Sequence, residues 1–330
     1  MTTQKRTKRH HYVPDFYLRH FADENDVVWI YDKRAKHVEA SIRWSDPSNV
    51  ALQGNIYSVR KDDGTYDDRL DQWLQGVEDK AAPIHRKLMS GIMVEGQEKA
   101  DYAVFLASLA TRTPAILNRV AELHGAYIQS RTIRILADEQ HFRKEMEDFK
   151  KSPFCADPDQ VDIEAIAKFL KNRMYKLRIH QQAGLRAFQV TDKLTDKFFE
   201  MEWNLCDSEG RKLVTSDNPL VQTFIGTAPT KEQRAKPIEE LVTVPLSPSV
   251  MLELRWKSGA SAKVRRPGEE AAGLYNSIRA ANAEQYVFAS SRDAGIAALV
   301  QKYRDHKMDI DLNLFGRMEE FAPMEVARKL

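Results

Sequence analysis

The chain has 330 residues, 42% of them hydrophobic and 30% charged, with 50 basic against 48 acidic side chains and a formal net charge of +2. The hydrophobic fraction excludes wholesale disorder, and the near balance of charge excludes a globally basic binder of duplex DNA. The two cysteines, Cys155 and Cys206, lie far apart and outside any CxxC or Cys/His pattern, which excludes a structural zinc site and makes a reducing cytoplasm the simplest setting.

Residues 1–13 read as a basic arm. Lys5, Arg6, Lys8, Arg9, His10 and His11 precede the first acid, Asp15, a run that either contacts phosphates or is a solvated terminus. It contains no apolar leader. Residues 14–330 read as a single domain. Pro14 suits the first position of a short helix over 14–22, with Phe16, Tyr17, Leu18 and Phe21 on its apolar face. Val27–Tyr31 and His37–Ile42 predict a hairpin, and Asn55–Val59 a further short strand.

The middle is helical. Leu70, Trp73, Leu74, Val77 and Ala81 repeat at three and four residues over Asp67–Met89, where Pro83 is expected to kink or split the helix. Gln97–Arg112 is almost entirely apolar from Ala103 to Ala110 and predicts a central core helix. The longest apolar run, Tyr102–Ala110, is half the ~20 residues a membrane helix needs. Helices are expected over Ala115–Lys151, and over Ile163–Ala183 behind an Asp162 cap.

Toward the C-terminus strands return. Phe198–Leu205 and Lys212–Thr215 are expected to pair, as are Leu241–Leu246 and Val250–Trp256 around Ser247-Pro248-Ser249. Glu269–Ala283 and Asp293–Tyr303 predict helices flanking a strand at Tyr286–Ala289. The class is therefore α+β, a helical middle packed on a mainly antiparallel sheet built from N- and C-terminal strands.

Two polar segments ending at prolines are the candidate chemistry. In His10-His11-Tyr12-Val13-Pro14, an imidazole just before a helix could handle a phosphate, or the histidines could belong to the arm or to the sheet. In Thr215-Ser216-Asp217-Asn218-Pro219, Asp217 could ligate Mg²⁺ or Mn²⁺ or act as a base, with Ser216 and Asn218 orienting substrate; the same residues are also turn formers. Arg112, a cation at the end of an apolar helix, needs either a buried carboxylate such as Asp217 or an anionic substrate. Tyr17 and His10 are further candidate substrate contacts. Arg119-Val120-Ala121-Glu122-Leu123-His124 resembles the active motif of the HEPN ribonucleases. Walker A, Gly-x-Gly-x-x-Gly and His-Glu-x-x-His patterns are absent.

His11-Tyr12-Val13-Pro14-Asp15-Phe16-Tyr17-Leu18-Arg19-His20-Phe21 resembles the opening of domain-of-unknown-function (DUF) family 4238. Trp29 and Tyr31, Tyr57-Ser58, Arg112-Thr113-Pro114, Thr215-Ser216-Asp217-Asn218-Pro219 and Pro245-Leu246-Ser247-Pro248 follow in that family's order. The resemblance implies a bacterial-type soluble protein without an established activity, and it carries over no catalytic residue.

The residues leave two main readings, beside the further alternative of a HEPN-like ribonuclease using Arg119 and His124. One is a phosphoester hydrolase or nuclease, with His11 as acid or base, Asp217 as metal ligand, Arg112 and the arm on phosphate, and Glu78 or Asp79 as a second carboxylate. The other is a non-catalytic module for an anionic ligand or partner protein, in which the same groups form a structural network. Convergence of His11 and Asp217 in an open cleft favours the first; burial with mutual pairing favours the second.

Overall fold

The computed structural model describes residues 8–61, 63–172, 181–208, 210–225, 239–256 and 269–306. The arm's Lys5 and Arg6, and residues 173–180 of the helix expected to reach Ala183, lie outside them.

The chain opens with strand β1 (Arg9–His11) and helix α1 (Asp15–Arg19), then β2 (Val28–Asp32), β3 (Ile42–Ser45), β4 (Leu52–Gly54) and the short pair β5 (Val59–Arg60) and β6 (Tyr66–Asp67). Residues 9–13 are therefore part of the fold. Strand β1 pairs antiparallel with β4, and Tyr12 and Val13 are buried. Pro14 is the N-cap of α1 rather than its first residue. The second hairpin strand starts at Ile42, because a 3-10 turn occupies Glu39–Ser41. The strand expected at Asn55–Val59 is broken at Asn55, whose φ of 50° an asparagine tolerates better than most residues.

The helical middle comprises α2 (Arg69–Met89), α3 (Gly96–Thr111), α4 (Pro114–Ala137), α5 (Glu139–Lys150) and α6 (Ile163–Lys171). Helix α2 continues through Pro83, because Leu74, Val77, Ala81, Ile84 and Leu88 seat the same stripe in the core on both sides of it. Helix α3 is the central helix. Tyr102, Ala103, Phe105, Leu106, Ala107 and Leu109 are fully buried, as a helix apolar all round requires. The long helix expected over Ala115–Lys151 is two helices, since the Asp138 carboxylate accepts the His141 N–H at 3.0 Å and caps a new start.

The C-terminal part runs α7 (Thr191–Glu200), β7 (Glu202–Asp207), β8 (Thr215–Ser216), β9 (Val221–Ile225), β10 (Glu239–Pro245), β11 (Val250–Arg255), α8 (Glu269–Asn282), β12 (Tyr286–Ala289) and α9 (Ala294–Lys302). Phe198, expected to open a strand, belongs instead to α7, where Leu194 and Phe198 bury one helical turn apart.

One four-stranded sheet has the order β3-β2-β12-β8 and joins N-terminal to C-terminal strands; a second, β7-β11-β10-β9, is wholly C-terminal. Every strand pairing among the described residues is antiparallel. The class is α+β, as expected. The expected pairing of Phe198–Leu205 with Lys212–Thr215 does not form, because β7 lies against β11 and β8 against β12. No described helix is long and apolar enough to cross a membrane.

Candidate functional site

The strand alternation of β1 sends His10 inward, where it is 2% exposed. Its Nδ1 accepts the Tyr57 N–H at 3.2 Å, its ring stacks on the Tyr57 ring at 5.6 Å, and its Nε2 lies 4.0 Å from Asp71 Oδ1. His11 is half-buried, and its Nδ1 has no hydrogen-bond partner. Burial holds the His11 imidazole below its ordinary pKa; Arg112 adds to that, while Asp15 and a hydrogen bond with the Val50 backbone oppose it.

Arg112 closes α3 and is 2% exposed. Its Nη2 donates to the His11 carbonyl at 2.7 Å, and its Nη1 sits 2.7 Å from Glu78 Oε1. The guanidinium lies over the Tyr57 ring at 5.6 Å, and the Tyr57 hydroxyl donates to the Arg112 carbonyl at 2.8 Å. The carboxylate that answers Arg112 is therefore Glu78 on α2 and not Asp217. Burial raises the Glu78 carboxyl above its usual range against the pull of Arg112. Glu78 borders the Leu74-Val77-Ala81 stripe, so its place at the rim of the core was legible from the helical period. Its partner was not.

Asp217 is engaged elsewhere. Its Oδ1 accepts the Glu284 N–H at 2.9 Å, and its Oδ2 accepts those of Gln285 and Tyr286 at 2.7 and 2.8 Å. The carboxylate thus fixes the start of β12, the strand beside β8. Burial pushes its carboxyl up to about 6, against the downward pull of these three donors. Ser216 Oγ donates to the Asn218 carbonyl at 2.9 Å and accepts the Asn218 N–H at 3.1 Å, which closes a side-chain turn. Asn218 Nδ2 reaches the Asn282 carbonyl at the end of α8 at 3.4 Å. Tyr17 is fully buried; its hydroxyl donates to the Pro245 carbonyl at 2.5 Å and so accepts from Thr215 Oγ1 at 2.9 Å.

Of the predicted site residues, His10 and Arg112 come together around Tyr57, and His11 joins them through its backbone carbonyl. Ser216, Asp217, Asn218 and Tyr17 instead tie α1, α8, β8 and β12. The two groups are linked through Tyr12, which follows His11 and whose phenol is raised by burial and by the charge of Asp217. Asp217 is a poor metal ligand as it stands, because both its oxygens accept backbone N–H groups. Among the described residues no group of three or more His, Cys, Asp or Glu is placed to hold a metal ion. Arg119 pairs with Glu122 three residues on at 3.3 Å, and His124 on the same helix has its pKa lowered by burial and by Arg186.

Sequence reasoning missed several buried cations, of which Arg279 and Lys33 are the most enclosed among the described residues. Arg279 on α8 is fully buried; it donates to the Pro219 carbonyl at 2.7 Å and to the Thr243 carbonyl and hydroxyl at 3.2 and 3.1 Å, and burial lowers its pKa to about 10. Lys33 Nζ donates to the Ala281, Ala283 and His306 carbonyls at 2.8–2.9 Å and closes the C-terminal end of α8. Both look like ordinary surface charges in a sequence.

A separate cavity of about 580 Å³ opens between α8, α9 and the loop before β8, and Arg211, Lys212 and Lys302 are among its lining residues.

These features define an α+β protein with a buried His/Arg/Glu network under its N-terminal strand and a cationic cavity near its C-terminal helices. The chain belongs to the family described as "Protein of unknown function (DUF4238)", whose model matches residues 9–293. No curated protein and no solved structure matches it.

Proposed function

We propose that this chain is a non-catalytic binding module for an anionic ligand. The observation that carries the reading is the cavity, which three cationic side chains line and one carboxylate, Asp293, faces. Such a balance attracts anions and concentrates them in a concave, partly desolvated site. The groups on which a nuclease would depend are committed to the fold. Asp217 holds three backbone N–H groups, and Arg112 is shared between Glu78 and the His11 carbonyl. A general base or metal ligand must face its substrate, and the Asp217 carboxylate is buried and turned onto the backbone at the start of β12.

The test has two arms. Full-length protein is incubated with single-stranded RNA, single-stranded DNA and duplex DNA, with and without Mg²⁺ or Mn²⁺. In parallel its melting temperature is followed against phosphate, pyrophosphate and a nucleotide at low and high salt. The expected outcome is no cleavage above background and a salt-sensitive rise in melting temperature with at least one anion. Metal-dependent cleavage that disappears in a folded His11→Ala or Asp217→Asn variant would overturn the reading in favour of the hydrolase.

A further inference from the structure

We propose that the α8/α9 cavity binds a phosphorylated small molecule of about mononucleotide size, a proposal that rests on the anion-binding reading above and specifies its ligand. Two helix faces form the walls. Gly273 and Ser277 stand one turn apart on α8, and Gly295, Leu299 and Lys302 recur at three and four residues along α9. Arg211 and Lys212 close the third side from the loop that leads into β8.

Among the described residues no carboxylate forms an ion pair with Arg211, Lys212 or Lys302, whereas Arg19, Arg34, Arg69, Arg119 and Arg143 each have one. Lys302 rests over the Tyr303 ring at 5.5 Å, a contact that leaves its ammonium donors available. The acid at the rim, Asp293, is already used: its Oδ1 accepts the Gly295 and Ile296 N–H groups at 2.6 and 3.2 Å and caps α9. Three cations against one capping carboxylate leave an excess of positive charge. It matches a phosphate monoester, which carries about −1.5 to −2 near neutral pH.

Glycine is a poor residue for the interior of a helix, so Gly273 in α8 calls for a reason. The Arg211 guanidinium supplies it. A Cβ at Gly273 would meet Arg211 Nη1 at 2.9 Å. The bare helix backbone lets one end of the guanidinium approach α8 closely at the cavity wall, where its fork can address phosphate oxygens. Leu299 offers an apolar surface for the organic part of the ligand. A cavity of about 580 Å³ is of ordinary size for a small-molecule ligand. A nucleic-acid strand would instead call for cations spread along a track, and these three gather around one concavity.

The experiment is calorimetric titration of the full-length protein with AMP, inorganic phosphate, adenosine and an oligonucleotide lacking a terminal phosphate. AMP is expected to bind, phosphate to bind more weakly, and adenosine not to bind. Lys212→Ala and Lys302→Ala should each weaken AMP about tenfold, the scale of one lost charge-assisted contact. Gly273→Ala adds one methyl group and moves only the flexible end of Arg211. It should weaken AMP similarly while the melting temperature holds or rises, so a loss of binding cannot be put down to unfolding. If wild type binds AMP and the Lys212→Ala/Lys302→Ala double variant binds it equally well, the cavity assignment falls while the anion-binding reading stands. If no anion binds wild type, both fall. An oligonucleotide that binds tighter than AMP overturns the small-ligand assignment.

Discussion

His85 should make this fold acid-sensitive. It sits on α2, fully buried, with Nε2 2.8 Å from the Leu246 carbonyl and Nδ1 2.6 Å from the Tyr102 hydroxyl. A carbonyl can only accept, so Nε2 carries a proton. Burial favours the neutral imidazole, and in that form Nδ1 accepts from the Tyr102 hydroxyl. Burial, and then the neighbouring His20 ring stacked 4.9 Å away, push its pKa from the ordinary 6.5 down to about 3. Between those two values the unfolded chain binds the proton and the folded chain does not, so stability rises with pH across that window. The contribution is complete above 6.5 and is lost as pH falls toward 3. At 1.36 kcal/mol per pH unit, a medium at about pH 5 should cost about 2 kcal/mol relative to neutral pH. His20, whose pKa burial also lowers, acts in the same direction.

The assay is urea denaturation of wild type and His85→Phe at about pH 7 and about pH 5. The variant keeps a ring but strands the Tyr102 hydroxyl and the Leu246 carbonyl, so it should start about 2–4 kcal/mol less stable. On acidification it should lose about 2 kcal/mol less than wild type. Should the phenylalanine variant fail to fold, His85→Gln serves the same comparison. Equal losses in wild type and variant would refute the argument, because His85 would then titrate alike in both states.

Two further outcomes follow from the buried networks. Asp217→Ala should destabilise the protein by about 3–5 kcal/mol, because three buried N–H groups at the start of β12 lose their acceptor; Asp217→Asn should recover only part, since its NH₂ group would face a donor, and thermal melting of both variants checks this. Glu78→Gln should cost about 3 kcal/mol by leaving the Arg112 guanidinium buried without its carboxylate; the double variant Glu78→Gln/Arg112→Met should be more stable than the single change, and a strictly additive double-mutant cycle would show that the two side chains are not coupled.

Much of the architecture was legible in the chain. The apolar run of α3 marked it as the core helix, the three- and four-residue spacing of α2 located its buried stripe, and the Leu241–Trp256 region declared a hairpin around Pro248. These features are local: hydrophobic period, β-propensity and turn residues act within one or two turns of chain. The polar motifs at His11, Arg112 and Asp217 were also visible as motifs. What lay beyond the sequence was their pairing. Arg112 needed a carboxylate, and a sequence offers many; only the approach of α2 to the end of α3 selected Glu78. Asp217 could have been a ligand or a turn residue until β12 was found beside β8, presenting three backbone N–H groups to its carboxylate. The same holds for Arg279 and Lys33, ordinary charges in the sequence, whose positions deep in the fold are tolerable because backbone carbonyls remote along the chain converge on them. A buried charge is stabilised by whichever dipoles surround it in space, and those neighbours are set by packing between elements that the one-dimensional pattern does not relate.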